Sequence, residues 1–157
     1  MKIRIEPLTV SAFAPFGQVI EMPPPGGRTN ITPFLENLRE QAGVKLHISN
    51  RAPTSLPYVH WRMERHRYSS QAFIPLNVSR YLVVVAPHAK SGGPELRGAR
   101  AFCARGDQGI NYRANAWHAP MAVLDREGQF AVFMWQDGTA ADEEFVELTE
   151  PLEFDPA

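Results

Sequence analysis

The segment Glu64-Arg65-His66-Arg67-Tyr68-Ser69-Ser70-Gln71 carries a carboxylate, an imidazole and an amide within one short span. Upstream, His60-Trp61-Arg62-Met63 alternates apolar and polar residues, so the chain reads as a strand from His60 to His66. Side chains two apart on a strand point to the same face, which puts Glu64 and His66 together. Tyr68-Ser69-Ser70 reads as a bend or loop ahead of Gln71. His60 shares the parity of Glu64 and His66 but reads as a surface residue. A plainer reading of the pair, an exposed strand face balanced by Arg62 or Arg65, stands beside a functional one.

Working outward, the chain is rich in period-two and β-branched runs. Ile3–Ile5, Val19–Met22, Val44–Ser49, Tyr81–Ala86, Ala99–Cys103, Met121–Leu124, Gln129–Trp135 and Phe145–Leu148 all read as strands. Tyr81–Ala86 is continuously apolar and suits a strand covered on both faces. Asp125-Arg126-Glu127-Gly128 between two such runs predicts a hairpin. Ser11 to Gly17 reads as a capped helical turn, with Ser11 as cap and Gly17 as stop. Pro33 to Glu40 reads as a short helix ending near Gly43. Fourteen prolines and eleven glycines break the chain too often for long helices. The expected fold is all-β, a sandwich or barrel with a few short helices.

The chain has 157 residues, 44% hydrophobic and 21% charged, which predicts one soluble domain over residues 1–157. No apolar run approaches the ~18 residues of a membrane span, and the N-terminus lacks the apolar core of a secretory signal. The expected location is cytoplasmic, with no membrane partner. A single cysteine, Cys103, excludes an intrachain disulfide and reads as a small core residue. The net charge of −1 hides a split. Residues 137–157 carry eight acids and no base, leaving +7 on the rest, where thirteen of the sixteen bases are arginine. Arginine suits bidentate grip on a carboxylate. Those arginines are dispersed, which argues against nucleic acid. The acidic end is expected to form a strand at Phe145–Leu148 and to be flexible from about residue 149.

A second polar cluster runs Gly109-Ile110-Asn111-Tyr112-Arg113-Ala114-Asn115-Ala116-Trp117-His118-Ala119-Pro120. Together with the first, it resembles the two motifs of the cupin superfamily. The four ligand positions fall on Glu64, His66, Gln71 and His118, and Asn115 replaces the glycine of the second motif. The longer strings resemble the ureidoglycolate lyase family, also called ureidoglycolate hydrolase. They are Phe13-Ala14-Pro15-Phe16-Gly17, Ser49-Asn50-Arg51-Ala52, Gln71-Ala72-Phe73-Ile74-Pro75-Leu76, Gly109-Ile110-Asn111-Tyr112 and Trp117-His118-Ala119-Pro120. The likeness spans about Leu8 to Gly138.

This resemblance implies a cupin-like double-stranded β-helix, or jelly-roll barrel, whose ligands converge inside it. It implies a cytoplasmic homodimeric lyase of allantoin (purine) breakdown that cleaves ureidoglycolate to glyoxylate and urea. It also implies a divalent metal, nickel foremost, held by Glu64, His66 and His118, and no organic cofactor. Gln71 is a weak fourth ligand, since a neutral amide oxygen competes poorly for a transition metal.

Cleaving such a hemiaminal needs a base, an acid and a cation for the carboxylate. His66, His118 and Glu64 are the catalytic candidates. Arg51 is the first choice for the carboxylate, with Arg113 second. Gln71, Tyr112 and Asn115 complete the expected substrate contacts. Two other readings remain open: a metal-dependent cupin oxygenase or isomerase on a small carboxylic acid, and a non-catalytic cupin that binds one.

Overall fold

The computed structural model describes residues 1–155. Period-two patterning and frequent breakers give twelve strands: β1 (Lys2–Pro7), β2 (Gly17–Glu21), β3 (Gly43–Arg51), β4 (Tyr58–Arg65), β5 (Gln71–Pro75), β6 (Arg80–Ala86), β7 (Arg100–Arg105), β8 (Gln108–Tyr112), β9 (Trp117–His118), β10 (Ala122–Leu124), β11 (Gly128–Gln136) and β12 (Glu144–Asp155). The helical content is one turn, α1 (Val10–Phe13), and 3-10 turns at Thr32–Phe34 and Leu96–Gly98.

The strands form two sheets. One runs β10-β6-β7-β1-β12-β4-β9, and β9 also pairs with β6, so the sheet closes on itself. The other runs β2-β8-β5-β11-β3. The fold is the expected all-β, cupin-like one. Strand β6 explains how the two sheets share a core. Its Tyr81, Val83 and Val85 pack between the sheets against Phe73, Ile110, Phe130 and Val132. Its Leu82, Val84 and Ala86 face the other way, into the closed sheet, with Ile3, Met63, Trp117, Leu152 and Phe154. Tyr81 and Phe73 both meet the Phe130 ring edge-on, at 5.0 and 5.8 Å. Burying a side chain of this size is worth about 1.5–3 kcal/mol.

Several local expectations are corrected. The turn at Asp125–Gly128 is not a hairpin. Its flanking strands enter different sheets, β10 beside β6 and β11 between β3 and β5. Asp125 sits at φ 68°, and its carboxylate is held by Ser79 and Arg80, so the chain crosses over there. Thr9, not Ser11, caps α1, accepting from the Ala12 N–H. Gly17 opens β2, and any Cβ there would collide with the Asn111 carbonyl. The helix expected from Pro33 to Glu40 shrinks to Thr32–Phe34, because Asn37 and Leu38 bond to Ser69 and Tyr68 instead.

The acidic end is a long strand rather than a loose tail. β12 lies antiparallel to β4 and parallel to β1 up to Asp155. The expected end extends to Ala157, and residues 156–157 lie outside the described residues. No helix among the described residues is long and apolar enough to cross a membrane.

Candidate active site

The two polar clusters meet because β9 pairs with β4. Glu64 stands directly across from His118, and His118 in turn faces Val85 of β6, on the face that packs between the sheets. His66 follows the last residue of β4. One ligand atom from each of Glu64, His66 and His118 lies within 4.8 Å of the others. Both imidazoles are buried, with 3% and 1% of their surface exposed.

Backbone carbonyls fix both rings. His66 Nδ1 donates to the Asp142 carbonyl at 2.8 Å, and His118 Nδ1 donates to the Ala116 carbonyl at 2.9 Å. Each Nε2 is left outside these bonds, buried and without a hydrogen-bond partner. His118 Nε2 faces Glu64 Oε1 at 3.3 Å. At that spacing the imidazole nitrogen and the carboxylate share a proton or a cation between them. Burial, reinforced by nearby His118, pulls His66 down to about 4, so its ring is neutral at pH 7. Burial raises Glu64, but His118 and His66 outweigh it and hold the carboxyl below its usual range.

Two imidazoles pinned through Nδ1, plus one carboxylate, make a donor set that fits a divalent metal. Gln71 adds a buried amide oxygen that also lacks a partner, while its nitrogen contacts Met134 Sδ at 3.7 Å. The surface ion-pair reading of Glu64 fails. Arg62 pairs with Glu147 and Arg65 with Glu144. His60 lies opposite barrel-core Leu152, beyond a register shift that separates it from the Glu64 stretch.

A cavity of about 180 Å³ opens beside Glu64, His66 and Gln71. Its far wall is β3, whose Lys45, His47, Ser49 and Arg51 line it. Arg51 Nε donates to Ser49 Oγ at 3.0 Å, leaving its Nη atoms for an anion. Lys45, His47 and Ser49 were not among the expected site residues. The signal was present, because all three share the parity of Arg51 on an alternating strand.

Three expected substrate contacts lie elsewhere. The Tyr112 ring stacks on His118, with centroids 4.0 Å apart and planes 15° apart, and it is not part of the cavity lining. It backs the imidazole. Arg113 and Asn115 line a separate cleft with Phe16, Pro87 and His88. Asn115 shapes the turn into β9: its N–H donates to the His66 carbonyl at 2.7 Å, and its own carbonyl accepts from His88 Nε2 at 2.9 Å. Its φ of 70° explains why asparagine can stand where the cupin motif has glycine.

A solved dTDP sugar isomerase from Desulfovibrio desulfuricans G20 superposes with a TM-score of 0.53, covering 85% of this chain and 83% of that one, at 13% identity. That likeness concerns the fold alone. The chain is 42% identical over 139 residues to a ureidoglycolate lyase of Rhizobium etli, covering 82% of this chain and 81% of that protein. Ureidoglycolate lyases of Brucella abortus and Agrobacterium fabrum match at 41% and 42%, each over 83% of this chain and 80% and 82% of theirs. A profile of the family described as ureidoglycolate lyase matches residues 1–155, from β1 through the last residue of β12, and the chain belongs to that family.

Proposed function

We propose that this protein is a lyase that cleaves ureidoglycolate to glyoxylate and urea, in cytoplasmic allantoin (purine) catabolism, as one catalytic domain. The observation that carries the reading is a cluster of carboxylate and imidazole groups facing a lysine and an arginine across a small cavity. Glu64 and His66 line one side, with His118 Nε2 behind them against Glu64, and Lys45 and Arg51 line the other with His47 between them. The substrate has one carbon bearing a hydroxyl, a carboxylate and a urea nitrogen. Arg51 binds the carboxylate, with Lys45 further along the same wall. Gln71 pairs with the urea amide through its oxygen and nitrogen.

The acceptor cluster takes the hydroxyl proton, and His66 Nε2 is its member that the geometry leaves open. As the carbon–oxygen bond becomes a carbonyl, the carbon–nitrogen bond breaks. The departing nitrogen takes back a proton, so no water and no redox partner is consumed. His118, held by Ala116 and backed by Tyr112, keeps Glu64 in place. Glu64, His66 and His118 would hold a divalent metal such as nickel, with Gln71 beside them, and when bound it would make the hydroxyl more acidic.

The chain is further proposed to work as a homodimer. The apolar runs Leu82–Ala86 and Phe130–Trp135, which suggested surplus surface in the sequence, are taken up mainly inside the fold. Edge strand β3 exposes three aliphatic residues in one short stretch, Val44, Leu46 and Ile48, and these support pairing with a second copy.

The test is incubation of purified protein with racemic ureidoglycolate, following glyoxylate and urea with and without chelator. Expected are glyoxylate and urea in equal amounts, and at least a 100-fold loss of turnover in His118→Ala. Glyoxylate at the spontaneous rate, or ammonia in place of urea, overturns the reading.

A further inference from the structure

The cluster just described leans on a contact outside it. His66 lies past the end of β4, so no strand ladder orients its ring. Its Nδ1 is held by one partner, the carbonyl of Asp142, at 2.8 Å. Asp142 sits on the connection between β11 and β12, whose neighbouring residues Gln136 and Glu143 line the cavity. What fixes that carbonyl is therefore what fixes the imidazole.

The carboxylate of Asp142 closes the connection on itself. It accepts from the N–H groups of Asp137 at 3.0 Å and Gly138 at 2.8 Å. Arg39 then anchors the closed loop to the body. Its Nη2 donates to Asp142 at 2.6 Å, and its Nη1 meets Asp137 at 2.8 Å. The guanidinium also lies over the Tyr68 ring at 5.4 Å, and the neighbouring Leu38 N–H donates to the Tyr68 carbonyl at 2.8 Å. Arg39 thus ties the segment just after His66 to the loop that supplies its partner. The Arg39 and Asp142 side chains are only 14% and 10% exposed, so water competes weakly for these bonds.

We propose that Arg39 and Asp142 form a clamp that positions His66, holding it in the Nδ1–H tautomer with Nε2 aimed at the reacting group. The inference rests on the assignment of His66 Nε2 to the proposed lyase chemistry. Neither residue lines the catalytic cavity, so both are positioning residues. Outer partners of this kind change activity by about 10- to 100-fold when removed.

The experiment compares Arg39→Ala, Asp142→Asn and the conservative Arg39→Lys with the parent protein. Imidazole 15N NMR of the metal-free, substrate-free protein reads the His66 tautomer directly, with His66→Ala assigning the signal. The expected result is a dominant Nδ1–H form in the parent and a mixture of tautomers in Arg39→Ala and Asp142→Asn. Arg39→Lys, which keeps one ion pair, falls between them. In the same variants kcat falls about 10- to 100-fold, while KM, set by Arg51, changes less than threefold.

A His66 ring that stays Nδ1–H in the folded variants overturns the clamp. So does an unchanged kcat in variants whose tautomer has shifted. Where Arg39→Ala fails to fold, Arg39→Lys and Asp142→Asn carry the same comparison. Full turnover by His66→Ala would instead overturn the lyase assignment of His66, and the NMR comparison would still decide the clamp.

Discussion

Asn115 shows how a single residue can sit in a motif and not in the site. It occupies the motif position of a glycine because the turn into β9 requires φ 70°. A left-handed conformation costs an ordinary L-residue about 1–2 kcal/mol, and asparagine tolerates it best after glycine. Asn115→Gly should therefore leave thermal stability nearly unchanged, whereas Asn115→Val should lower it by about 1–2 kcal/mol. Both are read by chemical denaturation. Equal stability of the two variants would show that the backbone angle is not what selects the residue. Glu64 and His66 could be grouped from the sequence because they share strand parity, and Gln71 follows five residues on, past the bend; His118 came from the second cluster, and the pairing of β9 with β4 brings it to Glu64. Tyr112, Arg113 and Asn115 were misread because they lie beside the motif in sequence. The fold turns Tyr112 behind His118 and the other two into a different cleft.

Strand β3 carries the polar wall opposite Glu64 and His66 as an element. One face presents Lys45, His47, Ser49 and Arg51 to the cavity, and the opposite parity exposes Val44, Leu46 and Ile48. If Arg51 binds the substrate carboxylate, Arg51→Ala should raise KM by about 10- to 100-fold, the worth of a charged hydrogen bond at 1.5–3 kcal/mol. Its kcat should move less, since the carboxylate is bound in ground and transition states alike. Steady-state kinetics on ureidoglycolate decide it, and a fall confined to kcat would move Arg51 from binding to chemistry. Strand β8 tests packing instead. A Cβ at Gly109 would stand 2.8 Å from the Phe73 carbonyl oxygen on neighbouring β5. Gly109→Ala should cost about 1–3 kcal/mol in denaturation, and a neutral result would mean the two strands can part without penalty. This strand also shows where sequence reading stopped. Gly109-Ile110-Asn111-Tyr112 was not among the expected strands, yet it belongs to a buried one. Its glycine allows a close backbone approach, and its buried Asn111 amide bonds to Gln18 and to the Phe34 carbonyl. Period-two strands such as β4 and β11 were readable because one face of each is wet. The Asp125 crossover was not, since a run-turn-run pattern looks the same whether its strands pair or part.

The charge split of the whole chain is how its two ends are joined. Four of the seven acids after Asp137 meet bases from the body rather than forming a solvated tail, Asp142 with Arg39 among them. Glu144 takes Arg65 at 2.9 Å and Arg67 at 2.6 Å, Glu147 takes Arg62 at 2.6 Å, and Asp155 takes Lys2 at 3.3 Å. Arg51, the base assigned to the substrate, belongs to none of these pairs and faces the cavity. Together with the strand pairing of β12 to β4 and β1, these pairs close the molecule around the site. Burial raises the Glu144 carboxyl, but the bonds from Arg67 and Arg65 outweigh it and hold it below the ordinary 4.5. A group with a lowered folded pKa binds fewer protons in the folded state than in the unfolded one. Its contribution is complete above that ordinary value and is lost as pH falls through the lowered one. Glu144→Gln should therefore melt below the parent protein at pH 7. As pH falls from about 4.5 toward 3 the gap should narrow, because the parent carboxyl becomes neutral as well. Melting curves across that range, at fixed ionic strength, measure it. A gap that stays constant down to pH 3 would mean that Glu144 contributes through shape and hydrogen bonding, and that the charge split does not hold β12 to β4.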